Sequence, residues 1–244
     1  MIDYQVLRSR RKTLSLQVKY GQVFVRAPLY LDNQSISSFI QKKDAWLKAK
    51  ITEQNQTANL CCDFTQGAKL FLFGQLVTLS IIFTHSVIKA DVYLTSLIDN
   101  QQDLVVAFPL RYQQKLADES QLIAAVKKRI EHYLKDQAQK IIQPKVDYYA
   151  KLTQLTPTAI KIRQYRARWG SCNNRGELSF NYLLMMLPMQ VIDYVIVHEL
   201  CHLRHLNHSK HFWQLVAQYF PDYNEAKNWI KRNQSALHWR TPVK

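Results

Sequence analysis

The spacing of apolar residues in the first part of the chain predicts a β-hairpin followed by one helix. Residues 13–27 alternate apolar and polar side chains, break at a glycine and then resume the alternation, as two half-buried strands do. Pro28 ends the second strand, and Asp32 or Ser35 is suited to cap a helix. Apolar residues then recur near helical spacing, so we expect one amphipathic helix over residues 36–55.

The middle of the chain changes from strand patterns to a helical pattern. Residues 68–108 are rich in β-branched and aromatic side chains and are punctuated by turn residues, which predicts three or four strands. Residues 120–155 carry apolar side chains on one helical stripe, and Pro144 is where this long helix would kink or end. Residues 1–156 are therefore expected to form a strand-rich portion with helices.

The last part of the chain predicts a small sheet and three helices. After Pro157 a strand pattern is followed by a turn at residues 173–176 and a second strand near residues 177–181, as in a hairpin. Pro188 suits the first turn of the next helix. The three predicted helices cover residues 189–206, 208–219 and 223–233. The expected fold class is α+β.

Composition limits the class of protein. Of the 244 residues, 47% are hydrophobic and 21% are charged, which is typical of a folded globular protein with a substantial core. The sequence has no run of 18 or more apolar residues and no apolar segment at its amino terminus, so we expect a cytoplasmic protein without a membrane span. Its four cysteines form no CxxC pair, so reduced thiols are expected.

A formal net charge of +15 raises the question of an anionic partner, because clustered cations neutralise phosphates. Residues 1–156 carry 21 basic and 13 acidic side chains, and residues 157–244 carry 12 and 5, so no single arm holds the excess. Charge alone therefore leaves a nucleic-acid partner or a nucleotide substrate as alternatives without selecting either.

The strongest chemical signal is the His-Glu-x-x-His pattern of residues 198–202. With 8 His and 6 Glu in the chain, chance would produce it only about 0.006 times, so composition does not explain it. Residues four apart on a helix lie about 40° apart around the axis and roughly 6 Å along it, so His198 and His202 can reach one ion. Glu199 lies at the flank of that face, where a carboxylate can act as general base on a zinc-bound water.

The third ligand is less well determined by the sequence. The surrounding helix is apolar on nearly all sides, so burying two histidines and a glutamate there would be costly unless they had a role. A catalytic zinc takes three protein ligands and one open position. The candidates are His205, His208, His211 and Glu225. A helix end at Asn207 favours His208, which could fold back toward the ion.

The second half of the chain contains four distinctive runs: RARWGSC (166–172), LSFNYLLMMLP (178–188), DYVIVHELCHL (193–203) and NHSKHFW (207–213). These runs resemble the YgjP-like metallopeptidase-domain family, which is related to the SprT and Wss1 proteases. Segments of the first half, including RSRRKTLSLQV, VRAP and FTQGAKLFLFG, resemble the front half of that family. The resemblance implies that the histidine of the N-H-S run, His208, is the third ligand, and it disfavours His211 and Glu225.

The resemblance also implies a fold and an activity for residues 157–244. The implied structure is a zincin-like metallohydrolase core with a small sheet and an active-site helix. The implied activity is hydrolysis of peptides or proteins, with Zn²⁺ held by His198, His202 and His208 and with Glu199 as the catalytic base. Two alternatives stay open: a metal-dependent hydrolase of nucleoside triphosphates, of pyrophosphatase type, and a protease docked on nucleic acid.

The run RWGSC at residues 168–172 has two interpretations. Arg168 can line the substrate cleft and stabilise a developing oxyanion. Alternatively, the run is a hairpin in which Trp169 packs on the active-site helix and Gly170 permits the turn. Cys172 is not expected to act as a nucleophile, because the metal site already generates one.

Overall fold

The computed structural model describes residues 2–19, 21–58, 62–96, 102–165, 168–234, 236–237 and 239. Its contacts divide the chain into two compact units, Met1–Cys61 and Cys62–Lys244, and each unit has a hydrophobic core of its own. Both units combine helices with small sheets, so the expected α+β class is confirmed. The functional division at residue 156 stays a prediction.

The first unit contains a three-stranded sheet. Its strands are β1 (Tyr4–Ser9), β2 (Ser15–Lys19) and β3 (Gln22–Pro28). The order is β1-β3-β2, and β2 pairs with β3 as the expected antiparallel hairpin. The apolar pattern did not predict β1, which pairs with β3 in parallel. All six residues of β1 are exposed, so the strand has no buried face to impose an alternation.

Residues 36–55, which were expected to form one helix, belong to two: α1 (Asn33–Lys42) and α2 (Asp44–Ala58). The expectation of one helix was wrong because Lys43 leaves the α-helical region, with φ −110° and ψ 10°. Asp44 then places an acidic side chain in the first turn of α2, where the helix dipole favours it. At the start of α1, Asp32 is the cap, because its side chain accepts a hydrogen bond from the Ser35 amide.

The second unit begins with a four-stranded sheet in the order β4-β5-β7-β6. Its strands are β4 (Lys69–Leu72), β5 (Gln75–Thr84), β6 (Asp91–Ser96) and β7 (Gln102–Pro109), which confirms the expected strands. The strands β5 and β7 are parallel, and the other neighbours are antiparallel. Leu104 and Val106 of β7 are fully buried in the core of this unit.

A long helix, α3 (Glu119–Thr153), follows the sheet. One stripe of it is buried in the core, as the helical pattern predicted: Val126, Ile130, Leu134, Ala138, Ile142 and Val146. The helix does not end at Pro144, which is exposed and lies inside it. The buried side chains on both sides of Pro144 hold the helix together across the lost backbone hydrogen bond.

The candidate site is built on a second small sheet and three helices. The strands β8 (Ala159–Arg163), β9 (Gly170–Cys172) and β10 (Glu177–Asn181) lie in the order β8-β10-β9, so β9 is an edge strand. The strands β9 and β10 form the expected hairpin, and β8 runs parallel to β10. The helices are α4 (Met189–Cys201), α5 (Lys210–Tyr219) and α6 (Tyr223–Asn233).

The helix α4 is buried on nearly all sides and ends earlier than expected. The Lys145 ammonium of α3 pairs with the Asp193 carboxylate of α4 at 2.6 Å and helps to fix its position. The helix ends at Cys201 rather than near residue 206, because Leu203 and Arg204 donate their amides to Leu200 and Cys201, three residues back. Among the helices in the described part of the chain, none combines the length and the apolar character needed to cross a membrane.

Candidate metal centre

Three histidines come together where α4 ends. His198 lies in its last turn, His202 follows it directly, and His208 lies in the loop before α5. One ring nitrogen of each lies within 4.8 Å of one ring nitrogen of the others. The Nε2 atoms of His198 and His208 are 3.1 Å apart. The structure thus brings together the three residues that the sequence and the family resemblance suggested as ligands.

The loop that carries His208 is fixed on both sides of it. The Asn207 side chain accepts a hydrogen bond from the Ser209 amide at 3.2 Å. Ser209 is the N-cap of α5, and its hydroxyl accepts from the Phe212 amide at 3.4 Å. The N-H-S run therefore turns the chain back toward α4 and starts the next helix, with His208 at the turn.

The other candidate ligands lie outside this cluster. His205 takes part through its backbone carbonyl, which accepts a hydrogen bond from the Nδ1 of His202 at 2.9 Å. Its ring stacks on the ring of His211, with centroids 6.3 Å apart. Glu225 lies in the first turn of α6. Among the residues that the structure describes, the histidine triad alone forms a group of three or more metal-binding side chains.

Tyr194 is a residue of the site that the sequence did not single out. It lies one turn before His198 on α4, and its hydroxyl is 3.4 Å from the Nδ1 of His198. Hydrogen bonds to the ring nitrogen that faces away from a metal fix the tautomer and the ring plane. His198 and His202 both have such a partner. Only the i, i+4 spacing of Tyr194 and His198 on a buried helix could have indicated this contact.

Burial keeps the imidazoles of His198 and His202 neutral. Burial lowers the pKa of His198 to about 3, and the nearby His202, His208 and Lys227 add to the effect. Burial also lowers the pKa of His202. Neutral imidazole is the form that binds metals. Two imidazole nitrogens bound at about 2.0–2.1 Å to a tetrahedral ion would be roughly 3.3 Å apart, close to the observed 3.1 Å. The spacing of this pair therefore fits an ion such as Zn²⁺, and the third ring nitrogen lies within 4.8 Å of both.

Glu199 lies beside the triad and is 6% exposed. Burial raises the pKa of its carboxyl group to about 8, and the positive charge of Arg168 opposes this shift. The edge strand β9 runs directly over it. A Cβ atom built on Gly170 would lie 2.7 Å from the Cγ and 2.8 Å from the Oε1 of Glu199. Gly170 is thus required for close approach to the carboxylate.

The role expected for Gly170 in the turn was wrong. The turn between β9 and β10 lies at residues 173–176, where Gly176 has φ 75°. Trp169 is partly buried and packs against the core of this unit. Burial raises the pKa of the Cys172 thiol, and the charge of Glu199 adds to this, which disfavours a thiolate nucleophile.

The triad and Glu199 open into a cavity of about 470 Å³. Its other lining residues are Arg168, Trp169, Gly170, Ser171, Cys172, Tyr194, Val195, Leu206 and Ile230. Arg168 is exposed, and its guanidinium lies over the Tyr165 ring at 5.3 Å. The arrangement combines one cation, a buried carboxylate and a metal-binding triad in one concave site.

Asn181 holds the segment that leads into β9. Its side-chain amide donates to the carbonyls of Tyr165 and Arg168, at 3.0 and 3.2 Å, and its backbone amide donates to the Trp169 carbonyl at 2.8 Å. The Asn181 side chain is buried at the end of β10. This contact, which the sequence patterns did not predict, places the backbone of Arg168 beside the cavity.

Comparisons with known proteins identify the family that the sequence matches. The sequence matches the family described as YgjP-like, metallopeptidase domain, over residues 12–233. No curated protein matches the chain. Among solved structures, the metallopeptidase zymogen abylysin of Pyrococcus abyssi is similar, with 19% sequence identity and a TM-score of 0.35. That alignment covers 38% of this chain and 95% of the abylysin chain.

Proposed function

We propose, from the premise that the chain belongs to the YgjP-like metallopeptidase family, that it hydrolyses peptide bonds at a zinc site. His198, His202 and His208 hold the ion, and Glu199 is the catalytic base. The core around them is zincin-like. The observation that carries the proposal is the convergence of three imidazoles beside a buried carboxylate in one cavity.

The three imidazoles supply the donor set of a catalytic zinc site, which leaves one position open. Zinc bound there lowers the pKa of water and polarises a carbonyl group. Tyr194 and the His205 carbonyl orient the rings of His198 and His202 through their outer nitrogens. These contacts thus fix the ring orientations of His198 and His202 before the substrate binds.

Glu199 moves the proton in this mechanism. Its carboxylate accepts a proton from the attacking water and delivers it to the leaving amine nitrogen. A group that both takes and returns a proton works best when its pKa lies near the working pH. Burial brings the pKa of Glu199 into that range, and Gly170 leaves the room for its side chain.

Arg168 stabilises the negative charge that develops on the carbonyl oxygen. Its guanidinium is exposed beside the cavity, and its backbone is anchored by Asn181. Charged donors aimed at a developing oxyanion lower the barrier of acyl transfer. We expect Arg168→Ala to lower kcat more than it raises KM.

The edge strand β9 favours a peptide as the substrate. Its three residues line the cavity, and the described strands leave one of its edges without a sheet partner. An extended peptide can add to such an edge through main-chain hydrogen bonds. This would place a scissile bond beside the triad and Glu199.

The test compares the zinc-loaded protein with its Glu199→Gln variant on casein and on nucleoside triphosphates. We expect casein cleavage to fall by about 10²-fold or more in the variant, because the proton acceptor is lost. The zinc content, about one ion per chain, should not change. Turnover of nucleotides that depends on Glu199, without cleavage of casein, would contradict the proposal.

Single substitutions of the histidines test the ligand set. We expect His198→Ala and His202→Ala to lose most of the zinc, because two ligands bind the ion poorly. The matched control is His211→Ala, since His211 lies outside the triad and should keep the zinc content of the wild type. Elemental analysis after gel filtration gives the content directly.

A further inference from the structure

His208 differs from the other two histidines of the triad in how its ring is held. His198 and His202 each have a hydrogen-bond partner on the outer ring nitrogen, Tyr194 and the His205 carbonyl respectively. Within the described residues, the ring of His208 makes one hydrogen-bond contact, through Nε2 to His198. His208 is also exposed and lies in a loop. Its orientation must therefore have another source.

Two aromatic rings outside the triad contact the His208 ring: Phe212 meets it edge-on, with centroids 4.9 Å apart, and Trp213 stacks on its face. The His208 ring lies against the Trp213 indole, with centroids 5.6 Å apart and planes 24° apart. The indole in turn stacks on the Tyr223 ring, at 5.3 Å and 22°. We call His208, Trp213 and Tyr223 the ring column. Offset stacking at these distances is a favourable arrangement of aromatic rings.

The ring column is anchored on α6. Tyr223 and Lys227 are one turn apart on this helix, and both reach Trp213 of α5. The Lys227 ammonium lies over the indole ring at 4.1 Å, within the range of a cation–π interaction. The indole of Trp213 on α5 is thus held in place by two side chains of α6. The His208 ring stacks on this fixed indole.

We propose that Trp213 and Tyr223 are positioning residues, which hold the His208 ring in the orientation that its metal-binding nitrogen requires. The inference rests on the zinc site of the proposed function. Stacking takes the place of the hydrogen bond that orients each of the other two ligands. Flat contact with the indole restricts rotation of the His208 ring and keeps its Nε2 directed toward His198.

Zinc affinity is the quantity that tests this role. It is measured on the full chain by competition with a chromogenic chelator, after circular dichroism has shown that each metal-free variant is folded. We expect Trp213→Leu to raise the Kd for zinc about tenfold or more, as loss of groups that orient metal ligands does. Tyr223→Leu should weaken binding less, and Tyr223→Phe should keep the wild-type affinity because it keeps the ring.

The matched control is Trp229→Leu. Trp229 is a partly buried tryptophan of α6, and its ring contact is with Phe71, 6.0 Å away, rather than with any of the three histidines. We expect this variant to lose stability but to bind zinc like the wild type. An equal loss of zinc affinity in Trp229→Leu and Trp213→Leu would overturn the inference, because it would reflect general destabilisation.

A double-mutant cycle separates positioning from packing. In a His208→Ala background, Trp213→Leu should change the Kd for zinc much less than it does in the wild-type background, because the stacked His208 ring is gone and only the tilted contact of Trp213 with the His198 ring, 5.7 Å away, is left. The same loss in both backgrounds, or an unchanged Kd in folded Trp213→Leu, would overturn the inference and leave the zinc site intact. If Trp213→Leu does not fold, Tyr223→Leu against Tyr223→Phe decides in the same way. A wild-type chain that takes up no zinc would instead overturn the proposed function, and the inference with it.

Discussion

Gly170 shows how a single residue determines what the site can hold. Its missing side chain leaves the space that the buried Glu199 carboxylate occupies, and both lie beside the histidine triad. A glycine is needed at position 170 because a side chain there would collide with Glu199. Its backbone conformation is not the reason, since the glycine with a positive φ angle in this hairpin is Gly176, in the turn. The position of Glu199 therefore depends on Gly170, whereas the histidine triad does not. A mutation of Gly170 can thus change the proposed base and leave the metal ligands in place.

We predict that Gly170→Ala lowers peptidase activity about 10²-fold and leaves zinc binding intact. The new methyl group would lie 2.7–2.9 Å from three atoms of Glu199, so the carboxylate must move away from its position. Small displacements of a catalytic group have effects of this size. Activity on a fluorogenic peptide and zinc content by elemental analysis give the two readouts. An active Gly170→Ala variant would mean that the position of Glu199 is not critical.

Among the elements, α3 shows tertiary packing overriding a local signal. Pro144 lacks an amide hydrogen and disfavours the interior of a helix. Ile142 and Val146 on either side of it are nevertheless fully buried or nearly so, and the helix continues to Thr153. The contacts of the buried stripe outweigh the cost of the proline.

We predict that Pro144→Ala increases the free energy of unfolding by about 1–3 kcal/mol, because alanine restores a backbone hydrogen bond and Pro144 is exposed. Urea unfolding followed by circular dichroism measures the change. The control is Gln139→Ala at another exposed position of α3, which should stay within about 0.5 kcal/mol of the wild type. A loss of stability in Pro144→Ala would show that the proline is required by the packing of this helix.

At the scale of the whole molecule, the residues that the structure describes form two hydrophobic cores. The core of Met1–Cys61 includes Val25, Ile36 and Leu47. The three histidines of the triad belong to the other unit, Cys62–Lys244. The family match spans parts of both units. It supports a peptide or protein substrate, and neither it nor the site supports a nucleotide or nucleic-acid partner.

We predict that Leu47→Ala destabilises the first unit by about 2–5 kcal/mol without changing zinc affinity. Leu47 is fully buried, so its truncation leaves a cavity in that core. The ligands and the core beneath them lie within Cys62–Lys244. Urea unfolding followed by circular dichroism measures the first effect, and chelator competition measures the second. A Kd for zinc that rises more than about threefold would show that the two units are coupled.

The elements with a buried face were predictable from the sequence. The β2–β3 hairpin, the four strands β4 to β7 and the helices α5 and α6 all carry the periodicity of their structure, because burial of one face selects apolar residues there. The exposed β1 carries no such pattern, and its parallel pairing with β3 joins residues far apart in the chain. The break at Lys43 and the end of α4 at Cys201 depend on a few local hydrogen bonds that periodicity does not report.

The residues of the candidate site also fall into two groups: those that local sequence spacing indicates and those that only tertiary contacts bring together. The i, i+4 spacing of His198 and His202 and the neighbouring Glu199 are local, so the sequence alone indicated them: helix geometry places the two histidines on one side and Glu199 at its flank. His208 needed family resemblance, because its position depends on how the loop turns back. Gly170, Tyr194, Asn181 and the ring column were decided by tertiary structure alone. Apart from the one-turn spacing of Tyr194 on α4, their contacts join separate elements, and only packing determines which residues of separate elements meet.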